Sequence, residues 1–205
     1  MGTRNLVCVC YKGRFMIAQY GQWDGYPEGQ GLKIWRFVWK NAGNLIRLKA
    51  GLEHVRIMTD EERDQLIPDL SGNLDPVLRA QIGAGVDLVP DSISRNTGAG
   101  ILALAAQATQ ERPVKVVNSL EFVNSQLMCE WVYVLDLDAD VLEVYNSGHG
   151  GWEFYVSDIK GHDRFKEVGG GKTALIKSFK LAELPDSEKA FVAELVPESD
   201  EEPVS

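Results

Sequence analysis

Between an apolar hairpin and an amphipathic helix, the chain carries Gln19-Tyr20-Gly21-Gln22-Trp23-Asp24-Gly25-Tyr26-Pro27-Glu28-Gly29-Gln30-Gly31. Four glycines and a proline there exclude a regular element across the stretch. A solvent loop has little use for Trp23 and Tyr26 so close together. Two expectations follow. The stretch folds around its polar and aromatic side chains as a pocket wall, or its aromatics plug the end of a core.

The flanks read more simply. Leu6 to Tyr11 and Arg14 to Tyr20 are apolar strands joined by a tight turn at Lys12-Gly13. Leu32 to Asn41 has a helical stripe of Ile34, Trp35, Val38 and Trp39, and Asn44 is expected to cap a second helix. Thr59-Asp60-Glu61-Glu62 marks a helix start, with a capping hydroxyl and three acids at the positive end of the dipole. Residues 68–92, broken by glycine and proline, read as a lid over the site or as a solvent-side insertion. Asn96 or Thr97 opens a helix whose Gly98 and Gly100 leave N–H groups approachable. Val114 to Val117, Met128 to Leu137, Val141 to Tyr145, Trp152 to Val156 and Thr173 to Phe179 read as strands, and Leu120 to Ser125 is ambiguous. That order predicts an α+β fold of mainly antiparallel sheets covered by helices. One domain is expected over 1–182. An acidic C-terminal tail, helical as far as Glu194, is expected over 183–205.

Length and composition are those of an ordinary globular protein: 205 residues, 44% hydrophobic and 25% charged. The net charge of -9 argues against nucleic acid and anionic membrane as partners. Glu183 to Glu202 holds eight acids against Lys189, so most of that charge is local and the body is near neutral. Three cysteines make no disulfide framework. Cys8 and Cys10 share one strand face and read as core thiols. With no apolar leader and no apolar run of membrane length, a cytoplasmic location is expected. The expected partner is a small molecule, with a homo-oligomer possible.

Several motifs fail on chemical grounds. Gly-Gly-Gly-Lys-Thr at 169–173 lacks the first glycine of a phosphate loop, because Lys166 stands there. Asp136, Asp138 and Asp140 have calcium-loop spacing, but Val141 and Ser147 occupy the positions that need a glycine and a glutamate, so a hairpin turn explains them better. His54, His149 and His162 have no ligand spacing, so no metal is expected, and no cofactor either. Glu130 lies in an apolar strand beside Met128 and Val132. It reads as a salt-bridge partner of Arg4 or Arg95, or else as an acid of the site.

Thr3-Arg4-Asn5, the Ala18-to-Gly31 stretch, Arg95-Asn96-Thr97-Gly98, Asn118-Ser119-Leu120-Glu121-Phe122 and Cys129-Glu130-Trp131-Val132-Tyr133 together resemble a small, uncharacterised microbial and viral family. The resemblance covers roughly Thr3 to Tyr145. Members of that family often begin Met-Cys-Thr-Arg. With the hairpin and helices that follow, this start is similar to N-terminal-nucleophile hydrolases and the glutaminase domain of class II amidotransferases. The resemblance implies a four-layer αββα sandwich. It also implies attack on a small amide by the first residue, with its own α-amine as base; such an amine has a pKa of about 8.

Position 2 would be the nucleophile, and Gly2 has no side chain. Three accounts are open: a non-catalytic member that kept its pocket, a lost cysteine, or a second cleavage exposing the Thr3 hydroxyl. The resemblance further implies Asn118 or the N–H groups near Gly98 as oxyanion donors, and Arg4 as a clamp for a substrate carboxylate. Asn5, Tyr20, Gln22, Trp23, Asp24, Tyr26, Arg95 and Glu130 complete the expected binding surface. All of this expects the amino terminus and the glycine loop to line one cavity between two stacked sheets.

Overall fold

The structure is a computed structural model that describes residues 2–66, 77, 89–125, 127–148, 163–170 and 173–196. Five strands form the main sheet: β1 (Asn5–Tyr11), β2 (Arg14–Gly21), β5 (Trp131–Asp136), β6 (Val141–Asn146) and β7 (Ala174–Lys180), in the order β2-β1-β5-β6-β7. Only the β1–β5 pair is parallel. A separate two-stranded parallel pair joins β3 (Val55–Ile57) to β4 (Val114–Val116). The fold is therefore mixed α+β with a mainly antiparallel sheet. The second large sheet of a four-layer sandwich is not among the described residues.

β1 is buried along almost its whole length because it is an inner strand with both faces covered, which is why it reads as an unbroken apolar run. Its alternation divides the core. Val7 and Val9 face one cluster, which includes Trp131, Tyr133 and Leu135 and lies under α1 (Leu32–Val38), α2 (Ala42–Leu52) and α4 (Ile101–Ala105). Leu6, Cys8 and Cys10 face the other, with Val132, Val134 and Tyr145. That face is covered by short turns, Leu120–Asn124 and Asp163–Val168, which contribute Leu120, Val123 and Phe165. Lys12 and Gly13 both take positive φ, 55° and 72°, as a two-residue hairpin turn with the right twist requires.

Several boundaries differ from the sequence expectation. α1 ends at Val38, and α2 is capped by Asn41, not Asn44. The Asn41 side chain accepts the Asn44 N–H, so Asn44 is the third helical residue, and Gly43 lies inside the helix. The start at Thr59 does form the expected reciprocal box: Glu62 N–H to Thr59 Oγ1 and Thr59 N–H to Glu62, each 3.2 Å, ahead of α3 (Asp60–Leu66). The strand expected from Met128 begins only at Trp131, because Met128 and Cys129 turn back onto the Ser125 carbonyl. The ambiguous stretch at Leu120 is a 3-10 turn. The expected acidic tail is not all appendage. Leu184, Phe191 and Leu195 are buried in the helix-side core, the last two on and just after α5 (Glu188–Ala193). The strand expected at 152–156, the lysine of the 169–173 motif and nearly all of the 68–92 lid lie outside the described residues.

Candidate functional site

At the end of the sheet where β1 begins, one ladder row runs Gly21, Asn5, Trp131, Asn146, Ala174. The glycine loop folds back over this row. Asn5, fully buried, donates its amide to the Gly21 and Trp23 carbonyls, both at 3.3 Å. Gly25 N–H donates to the Thr3 carbonyl at 2.9 Å, and the Tyr133 hydroxyl donates to the Gly25 carbonyl at 2.8 Å. Burial raises the Tyr133 pKa far above the ordinary phenol value, so this donor stays protonated.

The glycines are set by these approaches. A Cβ at Gly25 would sit 2.9 Å from Asn5 Cβ and from the Thr3 oxygen, and one at Gly29 would sit 2.1 Å from the Asp24 carbonyl oxygen. The loop also contains a π-helical turn, Pro27–Gly31, where the sequence had argued against any regular element. Proline at its first position needs no N–H partner, which makes the turn possible.

The chain start is docked on this loop. Gly2 is half-buried, and a Cβ on it would lie 2.3 Å from Trp23 Cε3 and 2.7 Å from the Gln22 carbonyl oxygen. Arg4 N–H donates to Glu130 Oε1 at 3.1 Å, and Glu130 N–H returns to the Arg4 carbonyl at 3.2 Å. The salt bridge expected from Glu130 to Arg4 or Arg95 is thus replaced by a main-chain clamp. The Arg4 guanidinium instead lies 3.0 Å from Met128 Sδ. Glu130 precedes β5, so the strand alternation that set it beside Met128 and Val132 does not apply.

The remaining expected residues fall around the same loop. Trp23, 48% exposed, donates Nε1 to Asn96 Oδ1 at 3.0 Å. Tyr26, 41% exposed, donates its hydroxyl to Asp24 at 3.2 Å, and the Asp24 charge raises the phenol pKa. Tyr20 bonds Gln22 Oε1 at 2.6 Å and meets Phe122 edge-to-face. Arg95 contributes its carbonyl, which accepts the Gln22 N–H at 2.8 Å. Asn118 stands apart. It is exposed, its Oδ1 caps the Leu120 N–H at 3.1 Å, and among the described residues no hydrogen bond joins it to residues 2–5. The Ala99 N–H, next to Gly98, is taken by Gln30 Oε1 at 2.8 Å and is not open to an oxyanion.

Sequence reasoning missed the buried amides that hold the site. Gln30 bridges the Trp23 carbonyl and the Ala99 N–H, and Gln19 donates to the Ser94 carbonyl. Their presence in a glycine-rich stretch was a signal, since a buried amide must find partners. It also missed three buried polar atoms without a hydrogen bond near this end of the sheet: Asn5 Oδ1, Asn146 Nδ2 and Thr173 Oγ1.

A second polar cluster lies on the opposite face. Arg164 makes a bidentate pair with Glu143 (2.8 and 2.7 Å) and reaches Asp136 at 2.5 Å, beside a cleft of 390 Å³ that Cys10 also lines. Asp136 and Asp138 each accept two main-chain N–H groups, Asp136 within the β5–β6 turn and Asp138 from Lys12 and Gly13. Their spacing thus serves turn geometry. Among the described residues no histidine, cysteine and carboxylate group has metal-binding geometry. The cysteines are free and buried, and burial pushes Cys10 up to about 12, so the thiol stays protonated at neutral pH.

No family model, curated protein or solved structure matches this chain. Among the described residues no helix is long and apolar enough to cross a membrane.

Proposed function

We propose that this protein binds a small polar molecule where the start of β1 meets the glycine loop, without bond-breaking at residue 2. The observation that carries this reading is the space around Gly2, where a Cβ would lie 2.3 Å from the Trp23 ring. An N-terminal nucleophile needs a side chain on that residue. Here an indole and the Gln22 carbonyl take the volume it would fill.

A recognition surface remains: the exposed faces of Trp23 and Tyr26, and the Asp24 carboxylate. Aromatic walls with a few polar groups suit a small amide-bearing metabolite. The same reading makes it a cytoplasmic binding or regulatory module.

A second reading keeps the four-layer hydrolase fold and amide chemistry. It is favoured by the docking of residues 2–5, through the Gly25 N–H to Thr3 and the Arg4 N–H to Glu130, which holds the chain start in the site. Two measurements separate the readings. Melting temperature is followed across a panel of primary amides that includes glutamine and asparagine. Ammonia release from the same panel is assayed for the natural chain and for Gly2→Cys, with intact mass reporting the first residue. The binding reading expects a rise in Tm with at least one amide, no turnover from either chain, and a lower Tm for Gly2→Cys. Turnover by either chain supports the hydrolase, and a flat Tm across the panel removes the binding module.

A further inference from the structure

The end of the sheet where β1 begins also presents an exposed apolar band, whose use does not depend on amide binding. Side-chain alternation sets its order. Thr3 and Arg4 bond to opposite sides, to Gly25 and to Glu130, as an extended chain does. Gly2 and Arg4 therefore continue the β1 face of Leu6 and Cys8, and Asn5 continues the face of Val7 and Val9. On the first face Arg4 Nη1 lies 3.0 Å from Met128 Sδ, and the Trp23 ring occupies the Cβ position of Gly2. On the second, Gly25 packs on Asn5, and Tyr26 follows, bonded to Asp24. The band runs from Leu127 and Met128, past Trp23, to Tyr26.

Leu127 is 81% exposed, Trp23 48%, and Met128 and Tyr26 41% each. A single exposed apolar side chain needs no explanation. Four in one band are another matter, and tryptophan, tyrosine, methionine and arginine are the residue types that interfaces concentrate. The two ends of the band differ in charge. Among the described residues Arg4 makes no ion pair, and neither do Asp24 and Glu28, whose charges, Asp24 first, raise the Tyr26 pKa. A cation at one end and acids at the other make the band complementary to itself. A two-fold axis that turns it end for end sets cation on acid twice.

We propose that this band is the interface of a two-fold symmetric homodimer. Trp23 packs on the partner's Trp23 near the axis. Each Arg4 meets the partner's Asp24, and Leu127 and Met128 cover the partner's Tyr26. The amide surface of each copy then lies at the seam between them.

The test is sedimentation equilibrium of the full natural chain, without amide, from about 1 µM to about 1 mM, a range that covers a modest interface. The chain is expected to pass from monomer to dimer, at higher concentration in about 0.5 M NaCl because exposed charges are screened. Arg4→Glu and Asp24→Lys should each weaken self-association by about tenfold or more, since each sets like charges opposite one another twice. Both changes suit the fold. Arg4 ties to Glu130 through its main chain, and lysine already holds φ 55° and 49° at Lys12 and Lys40, close to the 54° of Asp24. Mixed one to one, the two variants should regain a dimer as tight as the natural one, because both contacts then pair acid with cation. Damage to either monomer cannot produce that rescue. A natural chain that stays monomeric throughout the range overturns the proposal. So does self-association that neither variant weakens, or a mixture in which the two variants stay apart.

Discussion

Two regions of this protein solve one problem, holding irregular chain against a sheet, in opposite ways. At the chain start most of the side-chain ties are neutral amides on main-chain groups, with the Glu130 carboxylate on the Arg4 N–H beside them: Asn5 to the Gly21 and Trp23 carbonyls, Gln30 between Trp23 and Ala99, Gln19 to Ser94. Glycines let the chains close to contact. On the opposite face the tie is ionic. Arg164 binds Glu143 and Asp136, and the neighbouring Phe165 is buried against Tyr145 and Phe15. The amide ties carry no titratable group and depend on close contact. The second depends on opposite charges held close together. Sites that recognise shape are better built on the first kind, because its geometry is set by contact distances.

The contrast is broken most severely by Arg164→Ala. It leaves two carboxylates, 7% and 11% exposed, without their cation, and we expect a loss of about 3 kcal/mol in urea unfolding. Acid should act on the same clamp. Burial pushes the Asp136 pKa up, but the Ala139 N–H, Arg164 and the Asp138 N–H outweigh it, and the carboxyl ends below its usual range. A folded pKa below the unfolded one gives stability that is complete above the unfolded value, about 3.9. That stability is lost as pH falls toward the folded value. The Tm gap between the natural chain and Asp136→Asn should therefore be widest near pH 6 and close below pH ~4. A gap independent of pH would mean that the clamp is not ionic in its effect.

Gly25→Ala probes the other region. Its Cβ would press on Asn5 and on two main-chain oxygens, and we expect about 2 kcal/mol of destabilisation with no change in the acid profile. If the amides of the proposed site bind this variant as well as the natural chain, the loop is a structural plug and not a pocket wall. The smallest effect is expected from Asn118→Ala, about 0.5 kcal/mol from losing the cap on Leu120. Any effect on ligand binding would return Asn118 to the site from which its hydrogen bond separates it.

The legible parts of this fold are those in which a residue's partner lies within a few positions. Lys12-Gly13 announces its turn because only a few residues accept two positive φ values, and Thr59 announces its helix because its capping partner is Glu62. Asn41 and Asn44 are equally good caps by type, and the sequence expectation falls on Asn44, which is the wrong one. The backbone leaves the helix at Trp39 (ψ 123°) and Lys40 (φ 49°), and that turn puts Asn41 at the start of α2. The glycine loop was visible as a place of importance, but its reasons were not. Gly25 is small because Thr3 and Asn5 come back to it, and the amides of Gln19 and Gln30 are there because Ser94 and Ala99 lie opposite.

The sequence alone determined the α+β class, the apolar strands and the segment worth watching, because steric limits and side-chain alternation act over a handful of residues. Tertiary structure alone decided that Arg164 meets Glu143 and Asp136, that Trp23 fills the space beside Gly2, and that Phe191 belongs to the core. Arg164 and Glu143 are 21 positions apart, Arg164 and Asp136 are 28 apart, and Phe191 meets Trp35 from the far end of the chain. No local preference encodes these pairings. They exist because one compact arrangement satisfies burial and hydrogen bonding together.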